Sequence, residues 1–363
     1  MEEFQEIYLS GGKFEFKKGQ EGGVSIGYKG SNPWAMAMFQ VCVSYDGEVL
    51  DIVPFSGLGQ PMPPYPQPSL LAWLISDRHG MFGSFCPNCK SYFRIDMFSS
   101  DMFCPYCGKV SRGIHFITEN QLKYIYAFCN AFIEAYDGDE DVTLDLDKLN
   151  EELPENRPKW LYSEETQQNN YKCSTCKRKY NILGEYCLCP GCGKPNLSDV
   201  FSQKMNEFGK QFQKANEEVS DRHDREVEWE KLTRCVSEFE SMANQIRRFL
   251  LRHPATEKRK NSLKSLSFQN ILIARDLLKE WYDIDILEGV SETDSNFLNK
   301  MFNRRHLFIH NAGQVDQEYL NNTGDTSVRL NQMIRVRSRE IRRLIPLVLE
   351  CGQKLVQGYE SIQ

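Results

Sequence analysis

Apolar residues recur along this chain with two different periods, and the change of period divides it. Over residues 13–53 the period is two. Phe14 and Phe16 alternate with charged residues, and Val41, Val43 and Tyr45 alternate up to Asp46-Gly47, beyond which Val49 and the run Leu50 to Val53 resume. An Asp-Gly pair between two such runs predicts a β-hairpin. Residues 54–68 hold six of the fifteen prolines, which predicts an extended connector leading into the apolar segment Leu70–Ile75.

The period then lengthens. Leu122, Ile125, Tyr126, Cys129, Phe132, Ile133 and Tyr136 recur at helical spacing and predict a helix over 119–136 that buries this stripe. Thr118 and Gln121 stand at its start as a capping box. From Asp137 to Glu165, eleven acidic residues against three basic ones, with two prolines, predict a solvated connector. From about residue 198 the pattern is helical almost throughout. Trp229, Leu232, Val236, Phe239, Ala243, Ile246 and Leu250 step by three and four, a long helix ending at His253-Pro254. Further helices are expected over 264–282, over 293–311 with Gly313 as a stop, and over 338–360 with a kink at Pro346. Residues 314–336 read as a mixed loop.

Cysteine spacing adds chemistry to this outline. Eight of thirteen cysteines fall in Cys-x2-Cys pairs, giving one set of Cys86, Cys89, Cys104 and Cys107 and a second of Cys173, Cys176, Cys189 and Cys192. The two segments are an internal repeat. Cys86-Pro-Asn-Cys89-Lys90 matches Cys173-Ser-Thr-Cys176-Lys177, and Cys104-Pro-Tyr-Cys107-Gly108 matches Cys189-Pro-Gly-Cys192-Gly193. Each pair brings two thiolates to one edge of a metal, and the second pair closes a tetrahedron that favours zinc, with iron as the competitor. Cys187 is an alternative ligand to Cys189, which the repeat favours by aligning it with Cys104. The Cys-Pro-x-Cys-Gly-Lys halves resemble the knuckles of zinc ribbons. Four sulfurs leave no open position for chemistry, so two Zn2+ ions are expected as structural staples. Lys177, Arg178 and Lys179 mark the second ribbon as a nucleic-acid contact.

Bulk charge narrows the partners. Forty-four basic residues against fifty acidic ones leave a net charge of −6, which excludes nucleic-acid or membrane binding driven by the whole surface. The basic excess is local: Lys300 to Arg343 holds nine basic residues against four acidic ones. Arg335, Arg337, Arg339, Arg342 and Arg343 concentrate at the start of the last helix as expected phosphate contacts, with a solvated helix face as the alternative. The apolar runs fall far short of the roughly 18 residues that span a bilayer, so no membrane segment is expected. The acidic opening Met-Glu-Glu-Phe-Gln-Glu differs from a secretory leader, which with the paired cysteines predicts a cytoplasmic protein.

The segment Asn303-Arg304-Arg305-His306-Leu307-Phe308-Ile309-His310-Asn311-Ala312-Gly313 concentrates the reactive side chains of the helical half. Arg305, followed by the polar His306 and five positions later by His310, resembles the Arg-x(4–6)-His motif of the HEPN superfamily. Arg248 and His253 share the spacing, but Phe249 follows the arginine there and a helix end explains His253. The resemblance covers about residues 200–360 and implies a helical bundle with the motif on a late helix. It further implies a metal-independent ribonuclease acting on RNA from a homodimer interface, in a toxin or antiviral defence setting. Arg305, His306 and His310 would be its catalytic residues, with Arg304 beside them as a nucleic-acid contact.

Helical geometry places Arg305 amid an apolar face of Phe297, Leu298, Met301, Phe302, Phe308 and Ile309, opposite a polar stripe of Asn299, Asn303, His306 and His310. An arginine there needs an anion or a carboxylate, and a buried Arg–Asp or Arg–Glu pair, with Asp276 and Glu280 among its possible partners, is the alternative to catalysis. Arg305 and His310 lie about 140° apart on an ideal helix, so a joint site needs loosened helix geometry near His310 or a second subunit, and the HEPN resemblance implies the latter. His306 and His310, four residues apart, also have metal-ligand spacing.

The resulting expectation is a multidomain α+β chain: a β-rich region over 1–80, a zinc ribbon over 81–117 and a helix with an acidic connector over 118–165. A second ribbon over 166–197 and a HEPN-like antiparallel α-helical bundle over 198–363 complete it. A regulatory protein partner bound through 1–197 accompanies the ribonuclease reading. A non-catalytic adaptor that binds nucleic acid or protein is the alternative.

Overall fold

The computed structural model describes residues 12–19, 22–30, 37–54, 63–76, 79–151, 169–218, 225–253 and 255–362. Much of the proline-rich connector, the acidic stretch beyond Glu151, and Pro254 therefore lie outside the described residues. The chain divides into two compact units, Met1–Pro195 and Asn196–Gln363. Among the described residues no helix is long and apolar enough to cross a membrane.

The first unit is built from short strands around one helix. β1 (Lys13–Lys18) and β2 (Val24–Lys29) form a sheet with β10 (Val142–Asp145), in the order β10-β1-β2. The last of these comes from the acidic segment expected to be a connector. Val142 and Leu144 alternate with polar residues and pair with Phe16 and Phe14, so a period-two pattern lay hidden among the carboxylates. β3 (Met38–Val43) and β4 (Val49–Pro54) form the expected hairpin, closed at Asp46-Gly47 with Gly47 at φ 90°, and β5 (Leu70–Ile75) pairs on the other side of β3.

α1 (Glu119–Asp137) packs across these sheets. Its capping box is complete: Gln121 N–H donates to Thr118 Oγ1 at 3.1 Å, and Thr118 N–H donates to Gln121 Oε1 at 2.9 Å. The buried face, however, is rotated from the expected stripe. Tyr124, Ile125, Phe128, Cys129, Ala131 and Ala135 are buried, while Tyr126, Ile133 and Tyr136 are exposed. Phe128 meets the rings of Phe14 and Phe16 at 5.0 and 4.9 Å, and that aromatic cluster decides which side of the helix turns inward.

The two cysteine segments are not separate modules. β6 (Phe82–Phe85) and β7 (Tyr92–Ile95) of the first join β11 (Asn169–Lys172) and β12 (Lys179–Ile182) of the second in one sheet, ordered β11-β12-β7-β6. A small hairpin of β8 (Asp101–Phe103) and β9 (Val110–Arg112) completes the first segment, and α2 (Leu146–Glu151) follows β10.

The second unit is helical: α3 (Leu197–Glu218), α4 (Arg225–Leu250), α5 (Glu257–Ser265), α6 (Ile271–Tyr282), α7 (Glu292–Asn311), α8 (Gln317–Thr323) and α9 (Ser338–Ile362). On α4 the expected stripe from Leu232 to Leu250 is buried. The single helix expected over 264–282 is broken instead, because Leu266 and Phe268 are buried in an intervening turn and Asn270 caps α6 by accepting from Ile273 N–H at 3.1 Å. The loop expected over 314–336 contains α8, capped by Asp316. α9 runs on through Pro346, and its Gly352 allows α3 to approach: a Cβ there would lie 2.1 Å from the Phe201 ring.

Candidate functional site

Eight cysteine sulfurs form two groups of four, each with its sulfurs within 4.8 Å of one another, and Cys187 belongs to neither. The first contains Cys86, Cys89, Cys104 and Cys107, the second Cys173, Cys176, Cys189 and Cys192. Closest approaches run from 3.5 to 3.6 Å, too long for the roughly 2.05 Å of a disulfide. They match the edge of a tetrahedron of sulfurs around one metal, so the residues present fit two structural metal sites.

Local backbone chemistry shapes all four pairs alike. In each, the residue after the second cysteine has positive φ, at Lys90, Gly108, Lys177 and Gly193, and its N–H donates to the carbonyl of the first cysteine. The turn thereby aims N–H groups at sulfur: Cys107 N–H reaches Cys104 Sγ at 3.4 Å and Cys176 N–H reaches Cys173 Sγ at 3.5 Å. Burial disfavours a thiolate at Cys107, but hydrogen bonds from the Asn88 side chain and the Lys109 backbone outweigh it and bring the thiol down to about 7. Cys173 is also opposed by burial and brought down to about 7, by N–H groups of Cys176 and Thr175. Deprotonated sulfur is the metal-binding form, and burial pushes the Cys86, Cys104, Cys189 and Cys192 thiols the other way, up from the ordinary value.

The basic residues of the second ribbon have different placements. Lys177 Nζ donates to the Ser174 carbonyl, and Arg178 donates to the Met97 carbonyl at 2.7 Å and to Ser99 Oγ, tying the second segment to the first. Lys179 lines a cavity on the four-stranded sheet.

In the helical unit, α7 carries the Arg–His segment. Ser291 caps its start and Ala312, at φ 47°, ends it in the left-handed conformation. The two adjacent arginines have separate environments. Arg304 is buried, bonded to Asp325 Oδ2 at 3.2 Å, Glu340 Oε1 at 2.8 Å and Tyr319 Oη at 3.2 Å. Its place is therefore inside the bundle rather than on a nucleic-acid surface. Asp325 is fully buried, and hydrogen bonds from Ser327, Tyr319 and Lys300 hold its carboxyl well below the usual carboxylate range against the opposing effect of burial.

Arg305 is 12% exposed and pairs through Nη2 with Glu240 Oε2 of α4 at 3.0 Å, with Ser237 Oγ at 3.3 Å. A carboxylate meets it as the apolar surroundings required, but from α4 rather than from Asp276 or Glu280; Asp276 pairs with Arg275. Burial pushes the Glu240 carboxyl up, opposed by the charge of Arg305. Nε and Nη1 of Arg305 and Oε1 of Glu240 have no hydrogen-bond partner, so the pair is incompletely satisfied. Nothing in the sequence singled out Glu240, one of many helix carboxylates.

The polar stripe of α7 is split. Asn299 is buried and donates to the Asn322 carbonyl, and Asn303 donates back to Asn299. His310 is exposed and His306 half-buried, with ring centroids 4.4 Å apart. Beyond the helix, Gly313 O accepts from Ile334 N–H at 2.8 Å, which pins an extended segment to the end of α7. In that segment Ile334 and Val336 are buried while Arg335 and Arg337 are exposed, and Arg339 is exposed in the first turn of α9. Arg335 and Arg337 thus precede α9 rather than starting it. Arg342 and Arg343 lie on α9, and Arg343 binds Asp294 at 2.7 Å and covers the Phe297 ring.

No family model matches the chain, and no curated protein or solved structure matches it.

Proposed function

We propose that the helical unit is a HEPN-type, metal-independent endoribonuclease, active as a homodimer, with the N-terminal unit held by two zinc ions and serving recognition. The observation that carries this reading is the adjacent pair of imidazoles in the last turns of α7, exposed His310 and half-buried His306. An imidazole can both accept and donate a proton. One imidazole takes the proton of a ribose 2′-hydroxyl, whose oxygen attacks the adjacent phosphorus. The bond to the 5′-oxygen breaks, and the other imidazole protonates that leaving oxygen. The products are a 2′,3′-cyclic phosphate and a 5′-hydroxyl. Arg335, Arg337 and Arg339 supply phosphate contacts along the strand, and the charge for the reacting phosphate is assigned to Arg305, which Glu240 must release for that role. A toxin or antiviral defence role accompanies the family resemblance.

Zinc is the metal proposed for the two sulfur groups, because four thiolates at tetrahedral spacing, with Zn–S of about 2.3 Å, require sulfurs about 3.8 Å apart.

The Arg305–Glu240 pair favours the second reading, a non-catalytic adaptor, because it ties the guanidinium inside its own chain. Purified protein incubated with single-stranded RNA, without added divalent metal, separates the two. Cleavage to cyclic phosphate ends, lost in His310→Ala and Arg305→Ala and absent on DNA, supports the nuclease. Cleavage unchanged in both variants rejects the assignment, and RNA binding without cleavage supports the adaptor.

A further inference from the structure

A dense run of positive charge lies where α4 gives way to α5. Residues 247–264 hold seven lysines and arginines against one acidic residue, Glu257, in a chain of net charge −6. Arg247 and Arg248 close α4, where a cation suits the helix dipole. Arg247 Nη1 donates to the carbonyls of Lys264 and Leu266 at 3.2 and 2.6 Å, which holds the end of α5 against the end of α4. The run therefore folds into a compact patch.

The cations of α5 oppose the helix that carries them. It spans nine residues and buries Leu263 alone, so packing contributes little to it. Lys258, Arg259 and Lys260 follow Glu257 at its start, where the dipole favours acidic side chains. Lys260 and Lys264 are like charges four residues apart, which repel. Glu257 pairs with Lys260 at 3.0 Å, and among the described residues no carboxylate forms an ion pair with Arg248, Lys258, Arg259 or Lys264. Local choices that work against their own element mark a surface kept for a partner.

An aromatic ring narrows the chemistry of that partner. Trp281, at the end of α6, is half-buried, and its ring lies 5.2 Å from the Arg259 guanidinium and 5.8 Å from Lys258 Nζ. An indole held beside cations suits a ligand that offers both phosphates and flat rings. A bilayer surface fits poorly, because an interfacial helix needs an exposed apolar face. Here Phe249, Leu250, Leu263, Leu266 and Phe268 all turn inward. An acidic peptide would match the charge and leave the indole unused. We propose that the α4–α5 corner docks single-stranded nucleic acid, with Arg248, Lys258, Arg259 and Lys264 on its phosphates and Trp281 against an unpaired base. The surface goes beyond the ribonuclease reading and serves the adaptor alternative equally, because docking needs no cleavage.

Fluorescence anisotropy with labelled, unstructured RNA and DNA strands tests it, on the full metal-loaded chain carrying His310→Ala so that RNA stays intact. Both strands should bind, since no feature of the patch reads the 2′-hydroxyl. Lys258→Gln, Arg259→Gln and Lys264→Gln together should weaken binding about tenfold or more and flatten its log–log salt slope by about 2. All three side chains are exposed, and removing cations from α5 should leave the melting temperature unchanged or raise it. The proposal is overturned if neither strand binds, if the triple variant binds unchanged, or if it melts lower, which would show the cations serving the fold. Phosphatidylserine vesicles or polyglutamate competing as well as unlabelled strand would also overturn it, in favour of a lipid surface or an acidic peptide. Failure of the ribonuclease reading has a different signature: strands bind through this corner, and the chain with His310 intact leaves RNA uncut.

Discussion

The two units solve the problem of holding a fold together in opposite ways. Among the described residues the N-terminal unit uses strands of three to six residues and one long helix around an aromatic core, with short turns between them. Eight sulfurs drawn into two clusters fix the turns, and the residues between them are free to carry polar and charged side chains onto the sheet. The helical unit contains helices of up to 26 residues whose stripes interlock, so apolar burial suffices. Its buried charges act differently, with Arg304, Asp325, Tyr319 and Glu340 joining α7, α8 and α9 at one register. Cross-links stabilise where elements are short, and a buried ion network specifies geometry where they are long.

Metal removal breaks this comparison most forcefully. Structural zinc contributes on the order of 10 kcal/mol of folding free energy in small domains. A thiol-competing chelator should therefore unfold the N-terminal unit, seen as proteolysis confined to residues before Asn196, while far-ultraviolet dichroism retains the helical signal. Metal analysis should give two ions per chain, and a chain that keeps its protease resistance after losing both would refute the stapling account.

Asp325→Asn should cost about 3 kcal/mol in guanidinium unfolding of the helical unit, because it removes the buried charge shared by Arg304 and Lys300 and leaves Glu340 to face Arg304. The same group sets a pH response. Its folded carboxyl titrates below the unfolded value of about 3.9, so its stabilisation is complete above that value and is lost as pH falls below it. The variant should lack this acid-side loss, and an identical acid profile in both proteins would remove Asp325 from the network's energetics.

Gly352→Ala places a methyl against Phe201 and should destabilise the helical unit by about 1–3 kcal/mol, measured by thermal denaturation. The smallest effect is expected on α1, where Ile133→Ser at an exposed position should change stability by less than about 0.5 kcal/mol. A loss typical of a buried isoleucine would show that the stripe read from the sequence, and not the observed face, is the buried one.

Much of the outline was legible in the sequence because it depends on neighbours. The ligand spacing, the Asp-Gly hairpin, the Thr118–Gln121 capping box and the α4 stripe each involve residues a few positions apart, whose geometry the chain fixes locally. The candidate site was legible only in part. His306 and His310 share a face because four residues make about one helical turn, but the burial of Arg304 and the capture of Arg305 by Glu240 were not readable.

The order of residues alone thus settles the local devices: which sulfurs can share a metal, where helices begin, which side chains share a face. Packing in three dimensions settled which of two adjacent faces of α1 turned inward, that β7 pairs with β12, and how two neighbouring arginines diverge. The reason is that each of these outcomes depends on a partner tens of residues away, such as Phe14 for Phe128 or Glu240 for Arg305. Spacing along a chain encodes direction, and only folding supplies the surface that direction meets.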